Sequence, residues 1–179
     1  RLVVPLNDGE RRVAERLNEL DDDWTVYVQP RLAHDVPDFV AVHARHGVCA
    51  IEVKHWSTGA YRAGDDGRIE CRSASGWTPI DEAPRFQAHR YRQTIYEQFF
   101  ARPQDGQYPT LAVRALLVLP DWETKRATQL FKRYQVTPNE EQVRVIGGDL
   151  LERSLHELVR GACPKPNAAS IERLHPSPG

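Results

Sequence analysis

Apolar and polar residues alternate with two different periods along this chain, and the changes of period mark its elements. Over residues 8–20, Val13, Ala14, Leu17 and Leu20 recur at helical spacing, with Asn7 or Asp8 placed to cap the first turn. Trp24-Thr25-Val26-Tyr27-Val28 alternates as a strand. Two apolar runs follow, Phe39-Val40-Ala41-Val42 and Val48-Cys49-Ala50-Ile51, joined through Ala44-Arg45-His46-Gly47, and they read as a hairpin. Asp65-Asp66-Gly67 signals a turn between short strands over 60–63 and 68–72. Pro84 suits the first turn of a helix over 83–101, whose apolar face is Phe86, Tyr91, Ile95, Phe99 and Phe100. Residues 103–109 form a loop, and the apolar run over 111–119 predicts a buried central strand. A helix over 123–134, a strand over 143–146 and a helix over 148–159 complete the pattern. One folded domain over 1–160 is expected, then a linker over 161–179, where Pro164, Pro166, Pro176 and Pro178 stand among small residues.

The hairpin carries charges where its pattern calls for apolar residues. Val48, Ala50, Glu52 and Lys54 share one face of the second strand, and Cys49, Ile51 and Val53 the other. A three-residue loop, Arg45-His46-Gly47, sets Ala44 opposite Val48 and Asp38 opposite Lys54, so that Asp38, Glu52 and Lys54 crowd one face. A two-residue loop turns Asp38 to the other side. Glu10 precedes Val13, Ala14 and Leu17 by three, four and seven residues, which puts it on the inward stripe of the first helix. It reads either as a first-turn acid favoured by the helix dipole or as a third carboxylate beside the hairpin.

Composition narrows the class. With 179 residues, 40% hydrophobic and 27% charged, the chain suits one globular domain with a single core. No apolar run is long enough to span a bilayer, and no signal segment opens the chain, so no membrane is expected as a partner. Arg1 comes first and Met is absent, as in a piece cut or processed from a longer protein. Cys49, Cys71 and Cys163 lie far apart, which disfavours a disulfide framework or a zinc knuckle and makes a cytoplasmic setting the default. A formal net charge of −1 provides no broad basic field, so phosphate binding has to be local. The local candidate is the helix over 83–101, where Arg85, His89, Arg90 and Arg92 form the exposed side, as a phosphate-tracking surface or as an ordinary solvated face.

Paired carboxylates and an ammonium suit metal-assisted phosphodiester hydrolysis, because an anionic phosphate repels hydroxide and a cation offsets that repulsion. A hard ion such as Mg²⁺, with Mn²⁺ as a substitute, takes carboxylate and carbonyl oxygens. Asp38, Glu52 and the Val53 carbonyl are the expected ligands, Lys54 the group for the attacking water or a non-bridging oxygen, and Glu10 an outer carboxylate. The chain contains its own control in Pro120-Asp121-Trp122-Glu123-Thr124-Lys125, where the acids stand two residues apart at a helix start and read as capping groups. His34, His43 and His46 lack the spacing and fourth ligand of a zinc site, Gly147-Gly148 lacks the pattern of a phosphate loop, and no serine sits in a nucleophile elbow. Trp77 reads as a packing residue.

Glu10, Pro37-Asp38, Ile51-Glu52-Val53-Lys54 and the helix of Gln87 resemble the PD-(D/E)XK nuclease superfamily, and more narrowly its nuclease-related domain, NERD. The narrower likeness lies in Gly9-Glu10, Gly47-Val48, Lys54-His55-Trp56 with Gly59, and Pro84 ahead of Gln87; it spans roughly residues 8–155. It implies an α/β fold, an α/β/α restriction-endonuclease-like core around a central mixed sheet. It also implies Mg²⁺-dependent DNA cleavage, a fused helicase or kinase domain, and a supporting role for Gln87 at the metal-site carboxylates or the phosphate. His55, directly after the lysine, departs from the pattern. A non-catalytic nucleic-acid- or partner-binding module on the same fold is the alternative.

Overall fold

Asn7 starts the first helix. Its side chain accepts the Glu10 amide at 2.9 Å and the Glu10 carboxylate takes the Asn7 amide at 3.1 Å, a reciprocal cap at the head of α1 (Asp8–Leu17). The helix stops three residues before the expected end, because the amides of Glu19 and Leu20 bond back only three residues, to Arg16 and Leu17. In the computed structural model, which describes residues 4–99, 113–132 and 143–160, there follow β1 (Trp24–Val28), β2 (Phe39–His43), β3 (Gly47–Val53), β4 (Tyr61–Ala63), β5 (Ile69–Ser73) and β6 (Gly76–Pro79). The rest of the described chain holds α2 (Pro84–Phe99), β7 (Val113–Leu119), α3 (Thr124–Lys132), β8 (Val143–Gly147) and α4 (Gly148–Arg160). The expected linker over 161–179, the loop over 103–109 and the outer ends of the helices over 83–101 and 123–134 lie outside the described residues.

Five strands form the central sheet in the order β1-β2-β3-β7-β8. The first three pair antiparallel and the last three parallel, so the sheet is mixed. Side-chain parity assigns its two faces. Phe39, Ala41, Cys49, Ile51, Leu116 and Val118 pack with Val13 and Leu17 of α1 and with Leu151 and Leu155 of α4. Val40, Val42, Val48 and Ala50 meet Tyr91 and Ile95 of α2, while Ala115 and Leu117 meet Leu130 and Phe131 of α3. Because helices cover both faces, every residue of β2 and β3 is buried, which is why these strands read as nearly continuous apolar runs. The expected α/β/α core with a mixed sheet is the observed one. No helix among the described residues is long and apolar enough to cross a membrane.

The hairpin register differs from expectation by two residues. His43 pairs with Gly47 and Phe39 with Ile51, so the three loop residues are Ala44, Arg45 and His46. The His43 ring fixes that loop by accepting the amides of Arg45 at 2.9 Å and His46 at 3.2 Å through Nδ1, and Gly47 supplies the left-handed φ of 81° that returns the chain to β3. A two-residue shift preserves parity, so Asp38 stays on the side of Glu52.

β4, β5 and β6 form a separate antiparallel sheet. Its third strand is absent from the sequence reading because Gly76 and Pro79 mimic a loop; an edge strand tolerates that proline. The Ser73 hydroxyl closes the β5–β6 turn on the Gly76 carbonyl at 2.9 Å.

Gly147 and Gly148 have a packing role. A Cβ on Gly147 would lie 2.2 Å from the Trp122 carbonyl oxygen, and one on Gly148 would lie 2.3 Å from that of Pro120. These neighbours are backbone and cannot swing aside. Gly147→Ala is expected to lower the unfolding free energy by about 1–3 kcal/mol or more, read as a lower urea midpoint; an unchanged midpoint would contradict this packing.

Candidate metal centre

Continuing the β2–β3 register by one and two steps brings Asp38 alongside Glu52 and Pro37 alongside Val53. Asp38 Oδ2 accepts the Val53 amide at 2.7 Å, which pins its carboxyl over the end of β3. The Lys54 amide turns the other way, to the Val118 carbonyl of β7 at 2.8 Å. Val53 therefore directs both its N–H and its C=O toward β2. There the opposing residue is Pro37, which has no N–H to give to that carbonyl.

Glu52 is 3% exposed. Its Oε1 accepts from Lys54 Nζ at 2.6 Å, while Oε2 is buried and takes no hydrogen bond from any described N–H or hydroxyl; the Asp38 carboxyl is Glu52's other hydrogen-bonding neighbour, and only while a proton lies between the two acids. Lys54 Nζ also donates to Gln87 Oε1 at 2.9 Å, and Gln87 Nε2 donates to the Tyr91 hydroxyl at 2.6 Å. Asp38, Glu52, Lys54 and Gln87 thus meet at the carboxyl end of β3, on the α2 side. Tyr91 joins them without having been singled out in the sequence; its place one turn after Gln87 reads as apolar packing, and only the hydroxyl reveals the second role. Burial and then the nearby Glu52 charge raise its phenol above the ordinary value, so it remains neutral.

Burial, and next the Glu52 charge, push Asp38 up to about 7. Burial likewise raises Glu52, opposed mainly by Lys54. Acids this close titrate as a pair. Once both acids are ionised, a buried carboxylate oxygen with no donor, a second carboxylate beside it and a carbonyl without its ladder partner form an all-oxygen set that fits a hard divalent cation. Glu10 is engaged elsewhere. Asn7 holds both its oxygens, Oε1 at 2.6 Å and Oε2 at 3.1 Å, and its charge only adds to the upward pull on Asp38 and Glu52. These bonds are those of a first-turn capping acid.

The same stretch matches the family described as the nuclease-related domain, NERD, over residues 6–120, more than half of the chain and inclusive of Glu10, Asp38, Glu52, Lys54 and Gln87. The chain belongs to the nuclease-related domain family. Comparison with curated proteins and with solved structures gives no match.

The basic face expected on the second helix of this NERD chain is overturned. His89 and Arg92 are buried, 7% and 8% exposed. Arg92 Nε donates to the Val113 carbonyl at 2.8 Å, Arg85 reaches the Val143 carbonyl at 3.3 Å, and Arg90 is tied to Asp35 at 2.8 Å and to Glu82. The reason is tertiary: α2 packs along β3, β7 and β8, where Arg92 and Arg85 hydrogen-bond to the first residues of β7 and β8, so part of the side that looks solvated on a helical wheel is covered. Phe86, assigned to the apolar face, is instead exposed.

The remaining candidates also resolve. His55 pairs through Nε2 with Asp121 at 3.0 Å and packs on Gly9, where a Cβ would lie 2.9 Å from its own. Asp121 also pairs with Arg12 at 3.1 Å, and the Thr124 amide at the head of α3 bonds to Asp149, so Asp121 is an ion-pair partner rather than a helix cap. Of the three histidines, His34 is exposed, while His46 stacks on Trp24 and His43 packs tilted against both rings. His43, Asp21 and Asp23 each bring a ligand atom within 4.8 Å of the others, a set that could hold a metal ion. His43 Nδ1 accepts two amides there, however, so the proton sits on Nε2, the atom facing Asp23 at 4.0 Å, and a metal would have to displace it.

The raised acid gives a signed pH dependence. Asp38 titrates at its ordinary 3.8 when unfolded and near 7 when folded, so the folded metal-free protein binds more protons between those values. Its stability is therefore full below the lower value and declines as pH rises through the upper one. A divalent ion requires the deprotonated pair, so added Mn²⁺ is expected to raise the melting temperature at about pH 8 and to have little effect at about pH 6. Equal shifts at both pH values, or none at the higher, would contradict this assignment.

Proposed function

We propose that this nuclease-related domain hydrolyses DNA phosphodiester bonds with the help of a divalent cation, Mg²⁺ by preference and Mn²⁺ as a substitute. The observation that carries the reading is the buried Glu52 Oε2, which once the pair is ionised has no donor and lies next to Asp38, opposite the oxygen bound by Lys54. Asp38, Glu52 and the Val53 carbonyl would hold the ion. When bound, it would neutralise phosphate charge and lower the pKa of a nucleophilic water. Lys54, held between Glu52 and Gln87, offers an ammonium to a non-bridging oxygen as charge builds in the transition state. Gln87 positions that ammonium and is itself oriented by Tyr91. Deprotonation of the raised Asp38–Glu52 pair predicts activity that rises from acid pH toward neutrality and above.

A second reading, a non-catalytic nucleic-acid- or partner-binding module fused to a helicase or kinase domain, draws on the net charge of −1, which leaves long-range attraction of DNA to a neighbouring domain. Cleavage separates the two. Wild-type protein with Mg²⁺ or Mn²⁺ is expected to nick or degrade plasmid and single-stranded DNA, and Glu52→Gln and Lys54→Ala to reduce the rate by about 10²–10³-fold. Equal residual activity in all three, or none in the wild type, would contradict the enzyme.

A further inference from the structure

The chain leaves the metal centre at Lys54 and returns at Gln87, and these side chains touch at 2.9 Å. The small sheet, β4 to β6, lies on the excursion between them, so both of its connections lead back to the site. Its inner face belongs to the core: Ile69 is 1% exposed and packs with Ala88 and Leu117, and the Tyr61 ring stacks on Trp56 at 3.9 Å between centroids. Strand alternation and the pairing of Arg62 with Glu70 and of Arg72 with Trp77 put those four residues on the outer face. The Arg62 guanidinium lies 4.4 Å from the centroid of the Trp77 ring and is held by Glu70 at 2.7 Å. Arg72, directly across from Trp77, is exposed, and its guanidinium has no hydrogen bond or ion pair among the described residues.

We infer that this outer face binds a single strand of DNA leading into the metal centre, with a base stacked on the Trp77–Arg62 pair and a phosphate on Arg72. The inference rests on the nuclease reading for its direction. Glu70 neutralises Arg62, which makes that guanidinium part of a flat stacking plane and leaves Arg72 as the charge complementary to a phosphate. Stacking on such a plane requires an unpaired base, because a duplex keeps the faces of its bases covered. A local contact of this kind also suits a domain with no net positive field. Trp77 thus takes a role that its sequence context hides.

Binding of a fluorescein-labelled oligodeoxythymidylate of about 15 nucleotides, followed by anisotropy with the metal chelated, tests this apart from turnover. Arg72→Glu and Trp77→Ala are each expected to weaken binding about tenfold. Arg72→Lys should stay within about threefold of wild type, and Arg153→Glu, on the far side of the central sheet, within about twofold. Arg72→Glu also lessens the salt dependence of binding. Because Arg72 is exposed, its variants report even if Trp77→Ala lowers stability. Wild-type affinity in Arg72→Glu, an equal loss in Arg153→Glu, or a loss confined to duplex of the same length would overturn the inference. Absence of cleavage would contradict the nuclease reading while leaving these affinities to be read on their own.

Discussion

Two carboxylates at neighbouring strand ends, Glu52 buried and Asp38 half-buried, repel each other when both are ionised, and their being held together at all depends on the parity of one hairpin. Asp38 and Glu52, both even-numbered, share a face only when the loop between β2 and β3 has an odd number of residues, as Ala44, Arg45 and His46 provide. The His43 ring, by accepting two loop amides, and Gly47, by its left-handed φ, hold that number fixed. A one-residue slip would carry Asp38 to the α1 side of the sheet and leave Glu52 facing α2 with Lys54 alone.

The layers around the hairpin explain the electrostatics of the site. Helices on both faces exclude water from the strand ends, so burial is the largest influence on both Asp38 and Glu52. Lys54 offsets part of that cost, and Gln87 and Tyr91 hold Lys54 in turn. Once both acids are ionised, one carboxylate oxygen remains without a donor. A purely structural ion pair gains nothing from a second acid beside the first, since the added repulsion opposes folding whenever both are ionised. A cation that needs both acids turns the repulsion into a site.

Much of this was legible in the sequence because it depends on local periods. The face shared by Asp38 and Glu52 follows from alternation and an odd loop, and it survived a register error of two residues. The cap at Asn7 was readable, and it also explains why Glu10, inward by spacing, is committed to Asn7. What escaped depends on packing between distant segments. The helix of Arg85, His89, Arg90 and Arg92 reads as basic and open because nothing in its own sequence reveals that Arg85 and Arg92 reach the carbonyls at the starts of β8 and β7. The small sheet's third strand was obscured by Gly76 and Pro79. Tyr91 reads as core by its ring, and Asp121 as a cap by its position before a helix, although Arg12 and His55 claim it from afar.

The central claim is that Asp38 and Glu52 together hold one divalent cation. Anomalous scattering from crystals grown with Mn²⁺ tests it most directly, because the signal locates the ion without reference to activity. The account predicts a single strong peak between the Asp38 and Glu52 carboxylates, on the Val53 carbonyl side, that disappears in Glu52→Gln. A map with no peak there, or with manganese only at Asp21, Asp23 and His43, would contradict it.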